Sequence, residues 1–140
     1  MVLSRVIYEL FESELEGIDL LSTPAELGRQ LRLEFDDGSK TYVAWTWGDV
    51  SEDYYVEFTG TTFCVDTPEA ERDASQSPVW SPLVGQPVEL TYRDAEHQVV
   101  EIRSRDAAVF CCSYGRGYWH MDVLHISTTL PVGPGGPATA

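Results

Sequence analysis

The chain has 140 residues, 43% of them apolar, and its 23 Asp and Glu against 9 Lys and Arg give a formal net charge of −14. A protein this acidic repels nucleic acid and anionic membranes, and it attracts basic protein surfaces or cations. No apolar run approaches the roughly twenty residues that cross a bilayer. The N-terminus carries acids where a signal peptide would have a basic start. We therefore expect a cytoplasmic protein that binds neither nucleic acid nor membrane.

The length and the 4 Trp, 7 Tyr and 5 Phe are typical of one folded domain rather than a disordered chain. We place this globular β-rich domain at residues 1–130. Residues 131–140 are Pro, Gly and small side chains without an aromatic or charged anchor, which predicts a flexible tail.

The first twenty residues are open to two interpretations. Apolar residues between Leu3 and Ile18 follow helical spacing, yet Val6, Ile7 and Tyr8 have the β-branched and aromatic character of a strand. We favour the strand, because an otherwise β-rich chain needs neighbours for its sheet edges. An amphipathic helix, which would make the fold α+β, remains the alternative.

From residue 31 onward the apolar residues mainly recur with a period of two. Leu31–Phe35 is a strand by this pattern, and residues 36–39, Asp-Asp-Gly-Ser, form a hairpin turn. The return strand, Thr41–Trp47, is apolar on both faces and should be central. Tyr54–Thr59 alternates again, whereas the polar, acidic stretch Thr67–Ser77 predicts a mobile surface loop.

The second half of the chain predicts more strands. Its first segment, Trp80–Pro87, contains two prolines that exclude a central strand, and it offers Trp80 and Leu83 to the core. Further strands are predicted at Val88–Arg93, Val99–Ser104, Ala107–Tyr114 and Tyr118–Thr128, with a bulge near Val123 and a tight turn at Gly115–Gly117. We expect a mainly β fold of seven to eight mostly antiparallel strands, in a sandwich or a partly open barrel.

The three cysteines, Cys64, Cys111 and Cys112, cannot all be paired within the chain, and none has the spacing of a zinc site. Cys111 and Cys112 are neighbours in one predicted strand, so their side chains point to opposite faces. We interpret all three as ordinary buried or half-buried residues, and we predict no metal ligands.

Acidic and aromatic residues are concentrated between Trp45 and Tyr55. In this segment Asp49, Glu52, Asp53 and Tyr55 could form an acidic, aromatic-edged surface, because carboxylates accept paired hydrogen bonds from Arg and Tyr anchors interfaces well. Simple solvation of the acids, with the aromatic residues in the core, is the alternative.

A second cluster contains Arg116, between two glycines, and Trp119, which we assign to the same partner-binding surface. Nearby His120 and Asp122 share a strand face, so an acid/base pair is sterically allowed. However, no nucleophile is tied to them by a known spacing, and no glycine-rich phosphate loop is present in the sequence. We therefore predict no catalytic residues and no cofactor.

Three segments resemble a family of small, mostly uncharacterised acidic bacterial proteins. They are the run from Trp80 (WSPLVGQPVEL), the run from Val109 (VFCCSYGRGYWHMDVL) and the stretch from Leu33 to Trp47. Such proteins are similar to immunity proteins of bacterial toxin systems, which are compact acidic domains that bind and block a toxin. The resemblance implies an inhibitor without catalytic residues.

The leading hypothesis is an acidic protein-binding module, of the immunity type, whose partner is a basic protein surface. One alternative is a small-molecule-binding protein or enzyme with a pocket lined by Trp45, Trp47, Tyr114 or Trp119. Another is a structural domain that forms homo-oligomers through exposed sheet edges.

Overall fold

The computed structural model describes residues 1–15, 25–47, 54–64, 67–93, 99–113 and 123–130, and these residues form two five-stranded antiparallel sheets. The strands are β1 (Leu3–Leu10), β2 (Ala25–Leu27), β3 (Gln30–Phe35), β4 (Lys40–Trp47), β5 (Tyr54–Thr59), β6 (Ala70–Asp73), β7 (Glu89–Tyr92), β8 (Val99–Arg103), β9 (Ala108–Cys112) and β10 (Leu124–Ser127). The first sheet has the order β5-β4-β3-β1-β6 and the second β2-β10-β9-β8-β7. The prediction of a mainly β, antiparallel fold is confirmed.

The N-terminal segment is a strand over Leu3–Leu10, so the alternative of a helix there is wrong. It lies between β3 and β6 and pairs with both. A β-bulge between Leu3 and Arg5 shifts the register, which lets Leu3 and Val6 both reach the core. This shift in register explains why the apolar residues of β1 have a spacing that resembles that of a helix. The one helical element in the described residues is the 3-10 turn Glu12–Leu15.

The β3–β4 hairpin follows the predicted turn chemistry. Gly38 has a φ of 88°, which glycine adopts without a steric penalty. The Ser39 N–H donates to Asp37 Oδ1 at 2.8 Å. In β4, Val43 and Ala44 are both buried although they point to opposite faces, and the strand has neighbours on both sides, as predicted.

The predicted surface loop Thr67–Ser77 is corrected by the structure. Residues 70–73 form β6, which pairs with β1, and Ala74 and Ser75 are buried. Their polar groups are satisfied because the Val6 N–H donates to Ser75 Oγ at 2.9 Å and the Ala74 N–H donates to the Val6 carbonyl at 2.8 Å. With β6 and β2, the described strands number ten rather than seven to eight.

The core contains residues from both sheets in one apolar cluster. Trp80 is fully buried there, as predicted, and its Nε1–H donates to the Tyr8 hydroxyl at 2.8 Å. Phe58 on β5 stacks on Tyr92 of β7, with ring centres 4.7 Å apart, and so joins the two sheets.

The last predicted strand, Tyr118–Thr128, is described only as Leu124–Ser127 and its immediate surroundings. Residues 114–122, which include the predicted glycine turn, and the predicted tail at 131–140 lie outside the described residues.

Cysteine reactivity gives a first test of this packing. Cys111 and Cys112 are fully buried, whereas Cys64 is half-buried, and burial raises the pKa of the Cys111 thiol. In the native protein, iodoacetamide should therefore modify Cys64 first. Cys111 and Cys112 should react only when the sheet opens. Peptide mass spectrometry after timed labelling measures this. In urea all three should react; native labelling of Cys111 or Cys112 as fast as Cys64 would contradict the packing.

Candidate functional site

Most of the predicted partner-binding residues, namely Asp49, Glu52, Asp53, Arg116 and Trp119, lie outside the described residues. Tyr55 is described: it lies in β5, opposite Thr46, and is partly buried. The described residues therefore do not test whether the predicted partner-binding residues lie together.

A different group of charged residues lies on the face of the first sheet that points away from the core, here called the outer face. Because side chains alternate along each strand, Arg5 and Glu9 of β1 share this face with Arg32 and Glu34 of β3. The β1–β6 pairing adds Glu71 directly beside Glu9. The register therefore brings residues distant in sequence into one polar cluster.

Arg32 is the centre of this cluster. Its guanidinium contacts Glu9 Oε2 at 2.8 Å, Glu34 Oε2 at 2.9 Å and Glu71 Oε1 at 2.9 Å. The Glu9 side chain is only 4% exposed, so its charge needs this partner, since a buried carboxylate without one is costly. The hydrogen bond from Arg32 also holds the pKa of Glu71 below its ordinary value.

Arg5 extends the cluster toward solvent. Its guanidinium lies 3.2 Å from Glu34 Oε1 and 3.7 Å from Asp73 Oδ2, and its side chain is 54% exposed. Hydrogen bonding with Ser75 holds the pKa of Asp73 below its ordinary value. The ion pairs thus join two arginines to four carboxylates, and the cluster keeps a net negative charge.

The exposed carboxylates of this region line one border of the sheet. Within the described residues β6 has a strand neighbour on one side only. Glu12, Glu69, Glu71 and Asp73 are exposed there and are named the acidic edge. The Glu12 N–H donates to Glu69 Oε1 at 3.1 Å, which ties the 3-10 turn to this border. Beside them Phe11 is 40% exposed.

Gln30 fixes the segment that follows β5 across the outer face. Its Nε2 donates to Glu9 Oε1 and to Thr62 Oγ1, each at 2.8 Å, and its Oε1 accepts the Phe63 N–H at 3.1 Å. Thr62 Oγ1 in turn accepts the Cys64 N–H. This cover explains why Gln30 and Glu9 are buried although they face away from the core.

Beside this segment lies a pocket of about 440 Å³. It is lined by Phe11, Gly28, Arg29, Ala44, Trp45, Phe63 and Cys64. Of the four residues predicted for an aromatic pocket, Trp45 is part of the lining. Its Nε1–H donates to the Gly28 carbonyl at 3.2 Å, which sets the orientation of the indole.

Glu14 holds the mouth of the pocket in place. One carboxylate oxygen accepts the Phe11 N–H at 2.7 Å, and the other accepts the Gly28 N–H at 2.8 Å. A Cβ on Gly28 would lie 2.8 Å from the Phe11 ring, so glycine permits this close approach. The bridge therefore fixes Phe11 as one wall.

The second sheet has its own local pairs. Glu101 lies between Arg103 and Arg93, and the bond from Arg103 contributes most to a pKa of Glu101 below its ordinary value. Burial lowers the pKa of His125, although Glu26 lies 3.7 Å away and opposes this effect.

Glu9, Arg32 and Gln30 were not predicted from the sequence to belong to a site. The alternation of Gln30, Arg32 and Glu34 shows that they share a face, but the register with β1 and β6 was needed to place their partners. The pocket could not be predicted from the sequence either, because its lining comes from four separate stretches of chain.

Within the described ranges no three His, Cys, Asp or Glu residues are arranged to hold a metal ion. The same ranges contain no helix with the length and apolar character needed to cross a membrane. Comparison with protein-family models, with curated proteins and with solved structures found no match for this chain.

Proposed function

We propose that this protein is a non-enzymatic, acidic protein-binding module for a basic partner, with immunity-type inhibition of a bacterial toxin in the cytoplasm as its specific form. The observation that supports this most is the acidic edge, Glu12, Glu69, Glu71 and Asp73, at the β6 border of an antiparallel sheet that shares its core with the second sheet. A rigid display of carboxylates suits recognition of arginine and lysine side chains.

The ion pairs on the outer face limit how much of the net charge is available to a partner. Glu9 and Glu34 are largely covered and bound to arginine, so they maintain the sheet rather than contact another protein. Glu71 and Asp73 are 45% and 52% exposed, which leaves oxygen atoms accessible beside their arginines. We therefore assign the partner surface to the acidic edge, together with the predicted Asp49, Glu52, Asp53, Tyr55, Arg116 and Trp119.

Homo-oligomerisation through β6 is less favourable. Pairing of two copies at this strand would bring Glu69, Glu71 and Asp73 near the same residues of the second copy, and like charges across strands are destabilising. Sedimentation over a range of concentrations tests this alternative.

The test of the proposal is kinetic. After capture of a basic partner from the native host, its association rate is measured by stopped flow at low and physiological salt. The double variant Glu12→Lys, Glu69→Lys should slow association about tenfold at low salt, because electrostatic steering raises such rates by one to three orders of magnitude. Salt should reduce the difference, since screening acts over about 8 Å at physiological ionic strength.

A matched control separates position from total charge. The double variant Glu89→Lys, Asp106→Lys changes the net charge equally, but its residues are exposed in and beside the second sheet. It should slow association less than the edge variant. Equal effects of the two doubles, or rates that do not depend on salt, would remove the acidic edge as the binding surface.

A further inference from the structure

The side of β6 that faces away from β1 is an open edge of the first sheet. Successive residues of an antiparallel strand direct their N–H and C=O groups alternately to one side and to the other. The Ala74 N–H donates to the Val6 carbonyl, so Ala74 and, two residues earlier, Arg72 face β1. The N–H and C=O groups of Glu71 and Asp73 therefore point away from β1. Within the described residues they have no backbone partner there.

The opposite border of the same sheet differs from β6. On β5 the Phe58 N–H already donates to the Tyr92 hydroxyl of β7, at 3.3 Å. The second sheet thus occupies part of the β5 edge. Unpaired backbone groups at a sheet edge are a template for pairing with another chain, and an added strand is a recurrent mode of peptide recognition. Between the two borders of this sheet, β6 is therefore the one that is prepared for an added strand.

The side chains of β6 specify the chemistry of such a strand. Glu71 and Asp73 lie on the outer face, 45% and 52% exposed, and Arg32 binds Oε1 of Glu71, which leaves Oε2 accessible. On the other face Arg72 is half-buried and Ala70 packs against the core. Side chains directly opposite each other in paired strands share a face and interact. Residues opposite Glu71 and Asp73 should thus be basic, and the residue between them, opposite Arg72, should be uncharged.

We propose that the basic partner adds a strand to the edge of β6, antiparallel like the other strand pairs of this sheet, with Lys or Arg at alternate positions opposite Glu71 and Asp73. This inference rests on the proposed function, because it specifies how the acidic edge binds a basic protein. A continuous run of basic residues fits less well, since every second cation would lie on the face of Arg72. A second copy of β6 fits less well too, because it would place carboxylates against carboxylates.

Calorimetric titration with two peptides of the same composition tests the order of residues. The alternating peptide is acetyl-Thr-Lys-Val-Lys-Val-Lys-Thr-amide, and the control is acetyl-Thr-Lys-Lys-Val-Val-Lys-Thr-amide. The control has the same charge but no two lysines spaced two residues apart, so it can place only one lysine opposite Glu71 and Asp73 in any register. It should bind about fivefold more weakly, through the loss of one cross-strand charge pair.

Methylation of the peptide backbone tests the strand pairing itself. In antiparallel pairing, a lysine opposite Glu71 or Asp73 directs its N–H toward β6, whereas the neighbouring valine directs its N–H away. N-methylation of the central lysine of the alternating peptide should therefore weaken binding about tenfold, and N-methylation of one valine should leave it nearly unchanged. Both peptides keep their full charge.

Amide hydrogen exchange, followed by NMR, locates the added strand. The amides of Glu71 and Asp73 should exchange rapidly in the free protein and slowly when the alternating peptide is bound. The Arg72 amide faces β1 and is the internal control, since it should be protected in both states.

The possible failures are distinguishable. Salt-sensitive binding of both peptides with equal affinity, or equal losses from the two N-methyl groups, would overturn strand addition but leave the acidic edge as a charged binding surface. Absence of binding, or binding without protection of Glu71 and Asp73, would also overturn strand addition. The proposed function would then still be decided by the association rates of the captured partner.

Discussion

Replacing Trp80 with alanine should lower the free energy of unfolding by about 3–5 kcal/mol, as large-to-small changes of buried aromatic residues do. Trp80 is fully buried in the core and is the largest of the side chains buried there. Its loss also leaves the fully buried Tyr8 hydroxyl without the hydrogen bond at 2.8 Å, which adds a desolvation cost. Urea denaturation followed by far-ultraviolet circular dichroism measures the change.

A second variant at Trp80 separates the effect of packing from that of the hydrogen bond, and a variant at the exposed Phe11 is the control. Trp80→Phe keeps much of the apolar volume but removes the donor, so its loss should be intermediate, about 1–3 kcal/mol. Phe11→Ala removes an aromatic ring that is 40% exposed and should cost less than either Trp80 variant. A Trp80→Ala variant as stable as Phe11→Ala would show that Trp80 does not anchor the core.

Local patterns in the sequence were sufficient to predict the strands that have one apolar and one polar face, and also a strand whose two faces are both apolar. The alternation in Leu31–Phe35 and the turn chemistry at Asp37 and Gly38 depend on residues close in sequence, and the β3–β4 hairpin agrees with both. Trp80 was predicted in the core because the prolines of its segment exclude a central strand while its large apolar side chain can fill the core, and it is fully buried there.

The missed strands have a different cause. In β6 the residues Ala70, Glu71, Arg72 and Asp73 have no apolar alternation, and the strand exists because β1 offers a free edge. At the N-terminus the strand was favoured from the sequence, although a bulge after Leu3 disguised the period of two. In β6, tertiary pairing overrode local propensity, which a pattern within one segment cannot show.

The same limit applies to the candidate sites. Net charge indicated the sign of a partner, but it could not show which carboxylates arginines already bind. Glu9 is buried and paired, while Glu69 is exposed, although both are simply acidic in the sequence. For recognition, the useful quantity is therefore the charge that remains after the outer-face ion pairs, and exposed carboxylates such as Glu12 and Glu69 contribute to it.

Replacing Arg32 with methionine should destabilise the protein by about 3–5 kcal/mol at pH 7, the cost of removing one partner of a buried ion pair. The change leaves the Glu9 carboxylate, 4% exposed, without its cation. Arg5→Met is the matched control, because Arg5 is 54% exposed and its loss should cost under about 1 kcal/mol. The double variant Glu9→Gln, Arg32→Met should regain much of the stability.

The pH dependence of stability is an independent test of the role of Arg32. In the wild type the hydrogen bond from Arg32 holds the pKa of Glu71 below its ordinary value. Glu71 therefore contributes to the stability of the folded state above the unfolded-state pKa of a carboxyl group. This contribution is lost as the pH falls through the folded-state pKa. Without Arg32 the hydrogen bond that lowers the pKa of Glu71 is absent, so this pH-dependent contribution to stability disappears. Urea midpoints measured from about pH 5 down to about pH 3, a range that spans the reference carboxyl values, should therefore fall less steeply with decreasing pH in Arg32→Met than in the wild type. A profile parallel to the wild type, combined with a loss as small as that of Arg5→Met, would show that Arg32 does not neutralise Glu9.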